Sequence, residues 1–176
     1  MEYNKEDSEK WKKERNTILL TCSAGGHLSE MRQLEPFYEK FDHFFITFKR
    51  TDTESLAEKE RVYFIPRPAR NPIQTLIGLW ESLCILEKEK PMLVISTGAD
   101  VTVPVCLVSK WKKIPVVFIE SFCRTKTPGW TGKILKHFSD YILYQWKELK
   151  PLYPSGIYAG SIFSSFSGND KKGDFE

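Results

Sequence analysis

The amino-acid sequence predicts an α/β fold, a single Rossmann-like domain built on a parallel sheet with helices on both faces. Three observations lead there. Short runs such as Thr17-Ile18-Leu19-Leu20 are apolar throughout instead of alternating, which marks strands buried on both faces. Between such runs lie segments whose apolar residues recur at helical spacing, as do Leu28, Met31, Leu34 and Phe37. Strand-type and helix-type segments then alternate along the chain, the pattern of β-α-β crossovers.

Each element can be justified in turn. A strand over 18–22 runs through a glycine turn into a helix over 29–40, which Pro36 kinks or splits. A second strand, rich in Phe and Ile, covers 43–48. A short helix over 52–60 follows, with Thr51, Asp52 or Thr53 as its N-cap. Pro66 stops a short strand at 62–65. Asn71-Pro72 opens a long helix reaching about Lys90, with the proline in the first turn, where its missing N–H costs nothing. Pro91 bounds that helix. Next come a strand at 92–96 and a helix at 99–111, mostly buried because charge appears only near its ends. The remaining expectations are a strand at 115–119, a helix at 130–138, a strand at 141–144, a turn or short helix at 146–152 and a last strand at 157–159. The chain thus divides into a charged N-terminal segment (1–16), the Rossmann-like domain (17–163) and a polar tail without periodicity, expected to be disordered (164–176).

Composition narrows the function. A chain of 176 residues is large enough for one real core. A net charge of only +3 argues against a nucleic-acid binder. The N-terminal segment mixes Lys5, Lys10, Lys12, Lys13 and Arg15 with five acids, as a solvated tail or short helix does. Trp11 lies among them, an aromatic able to dip into a membrane interface. The N-terminus lacks the apolar core of a signal peptide, and no run approaches the roughly 18 apolar residues of a membrane span. Cys22, Cys84, Cys106 and Cys123 have no paired spacing and read as buried, reduced thiols of a cytoplasmic protein. His27, His43 and His137 are isolated, so neither a metal site nor a cofactor is expected.

Four loops after the expected strands carry polar or small groups, and in this fold those loops gather on one edge of the sheet. The first, Ser23-Ala24-Gly25-Gly26-His27, joins a buried strand to a helix N-terminus. Its glycines permit close approach of a ligand, and the helix aims N–H groups at an anion. His27 there either hydrogen-bonds a hydroxyl or phosphate or merely caps the helix. The second, Pro66-Arg67-Pro68-Ala69-Arg70-Asn71-Pro72, holds two arginines on a proline-stiffened loop, suited to bidentate phosphate contacts or to an ordinary surface. The third, Ser96-Thr97-Gly98-Ala99-Asp100, again precedes a helix, which Asp100 either caps or leaves open to an anion. In the fourth, Glu120 directly follows a buried strand. It either orients a sugar hydroxyl or pairs with Arg124, while Arg124 and Lys126 can answer phosphate charge.

These loops, with Tyr144-Gln145-Trp146-Lys147-Glu148-Leu149 and Tyr153-Pro154, resemble a known family in order and spacing. It is that of the acceptor-side subunit of the two-part UDP-N-acetylglucosamine transferase of asparagine-linked glycosylation, the fourteenth protein of its pathway. Bacterial relatives are the PssD and CpsF proteins of capsule and exopolysaccharide synthesis. Glu-Ser-Phe-x-Arg-x-Lys at 120–126 and Gln-Trp-x-Glu-Leu at 145–149 are its more specific segments. The Gly-Gly-His turn is shared more widely, including with MurG.

The resemblance implies the N-terminal, acceptor-binding half of a GT-B glycosyltransferase, whose UDP-sugar half is a separate small Rossmann-like protein. The reaction it implies moves a sugar, with inversion and without a metal, from a UDP-sugar to a lipid-diphosphate-linked sugar at the cytosolic membrane face. By position, Gly25 and Gly26 would line the diphosphate. His27 would be the general base, Glu120 the competing base or acceptor-orienting group, and Arg67 and Arg70 the diphosphate contacts. Ser23 and Gly98 belong to the same loop edge.

The family's eukaryotic members begin with a membrane anchor that this sequence does not display. Attachment then falls to a surface such as the 72–86 helix, whose Ile73, Leu76, Ile77 and Trp80 either contact a membrane or simply pack on the core. An alternative from another class is a non-catalytic membrane recruiter or scaffold for the partner transferase. A self-sufficient nucleotide-sugar epimerase of GT-B type would need a second Rossmann domain, for which this length leaves no room.

Overall fold

The computed structural model describes residues 16–163. The 1–15 part of the charged N-terminal segment and the 164–176 tail lie outside the described residues. A seven-stranded, wholly parallel sheet runs in the order β3-β2-β1-β4-β5-β6-β7. Its strands are β1 (Thr17–Cys22), β2 (Asp42–Thr47), β3 (Val62–Phe64), β4 (Leu93–Gly98), β5 (Val116–Ile119), β6 (Tyr141–Tyr144) and β7 (Ile157–Tyr158). The helices are α1 (Gly26–Arg32), α2 (Glu35–Tyr38), α3 (Thr51–Ala57), α4 (Pro72–Glu89), α5 (Thr102–Trp111) and α6 (Trp130–Leu135), with a 3-10 turn at Lys147–Leu152.

The period-2 geometry of strands divides the core. Ile18, Leu20 and Cys22 of β1 point to one face, where they pack with Leu28 and Met31 of α1, Tyr38 of α2 and Leu56 of α3. Leu19 points to the other face, among Leu86 of α4, Val105, Cys106 and Val108 of α5 and Leu135 of α6. Burial pushes the Cys22 and Cys106 thiols up to about 12, so both are inert packing groups. The expectation of four buried cysteines is corrected for Cys84 and Cys123, which are exposed: one lies on the outer side of α4, the other in the loop after β5.

Other boundaries have local causes. The helix expected over 29–40 is split, as its proline allowed, because Pro36 has no N–H to continue the first piece and instead occupies the opening turn of the second. The first helix also starts three residues early, at Gly26, so His27 sits inside its first turn. Asn71 caps α4 by accepting from the N–H groups of Ile73 (2.9 Å) and Gln74 (3.4 Å), and Lys90 closes it in the left-handed region at φ 47°.

The faces of α4 are set by its neighbour. Gly78, Ser82 and Leu86 are buried, and the ring of Pro104 on α5 packs over Gly78, 3.5 Å from where a Cβ would stand. Leu79 and Leu83 pack against the core, whereas Ile73 (65% exposed), Leu76 (65%), Ile77 (40%) and Trp80 (67%) face outward. The core-packing alternative for these last four residues is therefore corrected. None of the helices among the described residues is long and apolar enough to cross a membrane.

Candidate functional site

Strand order reverses between β1 and β4, so the loops leaving their carboxyl ends diverge and open a crevice, the usual ligand position in such sheets. The ladder between these two strands is irregular. Thr21 stands opposite Ser96, but Cys22 stands opposite Gly98, which leaves Thr97 surplus. Its carbonyl and hydroxyl are spent on the first loop instead. Thr97 Oγ1 donates to the His27 carbonyl at 2.9 Å, and His27 Nδ1 lies 2.7 Å from the Thr97 carbonyl oxygen. A carbonyl can only accept, so Nδ1 carries the proton and Nε2 keeps its lone pair. Burial, reinforced by the positive charge of Arg124, holds this histidine below its usual 6.5, against the opposing pull of the Thr97 bond and of Asp100. The ring is neutral at pH 7.

The loops enclose a cleft of about 460 Å³. Of the residues singled out from the sequence, His27, Arg67, Arg70, Gly98, Glu120 and Arg124 line it together. Val103, Pro104, Phe118, Trp130 and Ile134 supply apolar wall. Ser23, Gly25, Gly26 and Lys126 are not part of the lining. Ser23 is buried and donates its hydroxyl to the Ala24 carbonyl at 3.1 Å. Gly25 takes φ 77°, a conformation that favours glycine, and its N–H donates to the Asp52 carboxylate of α3 at 2.6 Å. A carboxylate thus already occupies one amide of the turn, and the expectation that Gly25 and Gly26 line the ligand cleft is corrected. Asp52, expected only as a helix cap, is the residue that ties α3 to this turn. Lys126 is exposed on the loop after β5.

The arginines divide by partner. Arg67 Nε donates to both oxygens of Asp100, at 3.0 and 3.3 Å, and its guanidinium lies 5.2 Å from the centre of the Phe48 ring. Asp100 also accepts from the Ala69 N–H at 3.3 Å. It is therefore a clamp on the arginine loop and not the cap of α5, which begins after Val101. Arg70 and Arg124 have no carboxylate partner among the described residues. Backbone strain gathers here. Ala69 (φ 43°), Arg70 (φ 63°) and Ala99 (φ 85°) are non-glycine residues in the left-handed region, each at a cost of order 1–3 kcal/mol.

Glu120 is 3% exposed and forms no ion pair with Arg124. Its Oε1 accepts from the Ser121 N–H at 3.1 Å and its Oε2 from the Tyr153 hydroxyl. Burial and that bond push the Tyr153 phenol well above its ordinary range. Gly132 of α6 makes the arrangement fit, since a Cβ there would overlap the Glu120 carboxylate and the Tyr153 hydroxyl.

Sequence reasoning missed Glu30 and gave Trp146, quoted within its motif, no role. Glu30 of α1 is buried and accepts from Ser121 Oγ at 2.8 Å and the Phe122 N–H at 3.1 Å. Trp146 Nε1 donates to the Phe122 carbonyl at 2.6 Å. A signal for Glu30 existed: at helical spacing it falls on the same stripe as His27, Met31 and Leu34. No group of three or more His, Cys, Asp or Glu among the described residues is placed to hold a metal ion.

Comparison with known proteins decides the family. The sequence model described as "Oligosaccharide biosynthesis protein Alg14 like" matches residues 67–162, more than half of the chain. The chain belongs to this Alg14-like family. Among its relatives, the UDP-N-acetylglucosamine transferase subunit ALG14 of Rattus norvegicus is 39% identical, over 82% of this chain and 82% of the relative. The subunit of the same name from Homo sapiens is 29% identical, over 83% and 82%. A UDP-N-acetylglucosamine–N-acetylmuramyl-(pentapeptide) pyrophosphoryl-undecaprenol N-acetylglucosamine transferase of Clostridium perfringens (strain SM101) is 40% identical, over 51% of this chain but 24% of that protein.

Solved structures extend the likeness to the fold alone. MurG of Acinetobacter baumannii superposes with a TM-score of 0.61 at 16% identity, and a UDP-N-acetylglucosamine 2-epimerase of Rickettsia bellii with 0.69 at 14%. The Alg14-like chain spans 41% and 45% of those two proteins, less than half of each. Its single parallel α/β domain resembles one half of a GT-B glycosyltransferase such as MurG.

Proposed function

We propose that this chain is the acceptor-binding subunit of a split UDP-N-acetylglucosamine transferase, acting in glycosylation or polysaccharide synthesis at the cytosolic face of a membrane. The observation that carries the reading is the meeting, in one crevice, of a neutral histidine protonated on Nδ1 with two arginines that have no carboxylate partner among the described residues. A small Rossmann-like partner holds the UDP-sugar and closes the other side. His27 Nε2 removes the proton of the acceptor hydroxyl as its oxygen attacks the anomeric carbon, and the bond from that carbon to UDP breaks. Arg70 and Arg124 meet the diphosphate of the lipid-linked acceptor, with Lys126 reinforcing the charge at the loop's outer side. Arg67, neutralised by Asp100, shapes the loop that presents Arg70. Gly98 allows close approach, and Glu120, with both oxygens already engaged, orients the acceptor side of the cleft. The Ser23-Ala24-Gly25-Gly26 turn sets where His27 stands.

A transfer assay tests the reading. With UDP-N-acetylglucosamine and a lipid-diphosphate-linked sugar, the purified chain is expected to show negligible turnover alone and full turnover with the donor-half protein. Turnover by the lone chain at the rate of the pair would overturn it. A pair whose rate is indifferent to loss of both His27 and Arg124 would favour the recruiter or scaffold role.

A further inference from the structure

The loop over 121–129 carries Arg124 and has no helix or strand of its own. Two side chains from outside it fix its start, Glu30 of α1 and Trp146 after β6. Glu30 Oε1 accepts from Ser121 Oγ and the Phe122 N–H, and Ser121 Oγ in turn accepts from the Cys123 N–H at 3.4 Å. Trp146 holds the Phe122 carbonyl, with the two rings 5.1 Å apart. Glu30 stands one helical turn from His27, on the same short helix. Its other oxygen, Oε2, is buried without a hydrogen-bond partner.

We infer that Glu30 is a positioning residue, a buried hydrogen-bond acceptor that keeps the 121–129 loop, and with it Arg124 and Glu120, in register with His27. The inference rests on the function proposed above for that cleft. A buried, unpartnered carboxylate oxygen is far more costly charged than neutral. Burial raises the Glu30 carboxyl above its ordinary range, the bonds from Ser121 and Phe122 pull the other way, and the nearby Glu120 adds to the rise. A single uncharged acceptor suffices for the two bonds that matter, because both donors meet Oε1. Glutamine offers the same acceptor in the same shape.

The test uses the full chain and farnesyl diphosphate, a soluble probe joining prenyl and diphosphate chemistry. Two quantities are read: its affinity, and the Trp146 indole N–H signal in a ¹⁵N–¹H spectrum, assigned with a Trp146→Phe variant. That signal reports the Phe122 carbonyl whether or not any ligand binds. Glu30→Gln is expected to keep both within about threefold and without a shift. Glu30→Ala is expected to move the indole signal and weaken the probe about tenfold, as loss of a buried two-donor acceptor implies. Ser121→Ala, a smaller change that removes one donor, moves the signal in the same direction and serves if Glu30→Ala does not fold. An unmoved signal in both alanine variants overturns the inference, and so does a Glu30→Gln variant as impaired as Glu30→Ala. Should the unaltered chain fail to bind the probe, the proposed function falls, and the indole signal alone still decides for or against Glu30 as the anchor of the loop.

Discussion

His27 combines three conditions that its residue type does not guarantee: a fixed tautomer, a neutral ring and a place in the cleft. His27→Ala is expected to lower kcat of the reconstituted pair by roughly 10²–10⁴, the usual worth of a general base, with the circular dichroism spectrum unchanged. The same ring leaves a mark on stability. Its pKa is lowered by folding, so the unfolded chain takes up a proton near 6.5 while the folded chain resists until lower pH. Stability contributed at neutral pH is therefore lost as pH falls below about 6.5. The denaturation midpoint should drop less for His27→Ala than for the unaltered chain between pH 7.5 and 5.5. At this scale the sequence revealed which residue types reach the edge but not their partners. That Arg67 is held depends on Asp100, 33 positions away, and no local pattern encodes that pairing.

Among the elements, α4 combines a buried edge against α5 with an outer face of Ile73, Leu76, Ile77 and Trp80 beside the arginine loop. Apolar residues on a solvated helix face next to cations are the composition of a membrane-surface contact. In flotation with anionic liposomes, binding is expected to weaken at high salt, since each Lys or Arg near the surface contributes about 1 kcal/mol and is screened. It should weaken again in a Leu76→Glu, Trp80→Glu variant. Flotation resisting both would place attachment elsewhere. The existence and type of α4 were legible from Asn71-Pro72 and its apolar spacing. Its rotation was not, because apolar residues surround the axis, and the packing of Gly78, Ser82 and Leu86 against the neighbouring elements selects the buried side. The break at Pro36 was legible for the opposite reason, being written in a single residue's missing N–H.

For the whole molecule, alternation of segment types was enough to indicate a parallel sheet, but not the order of its strands. The β1–β4 adjacency that opens the crevice joins segments more than seventy residues apart and follows from covering both faces of the sheet. The cleft is lined by loops at the edge of a single sheet, and under the proposed function the donor sugar is held by a second protein, so turnover is expected from the pair and not from the lone chain. The surplus Thr97 carries a different consequence. Its carbonyl belongs to the main chain and is present whatever side chain stands at that position, so substitution there removes a hydroxyl and leaves the acceptor for His27 Nδ1 in place. Loss of a single residue between Ser96 and Gly98 would instead even out the ladder and withdraw the carbonyl. The proton on His27 is thus governed by how many residues β4 contains, and for this one bond a change of length at Thr97 matters where a change of side chain does not.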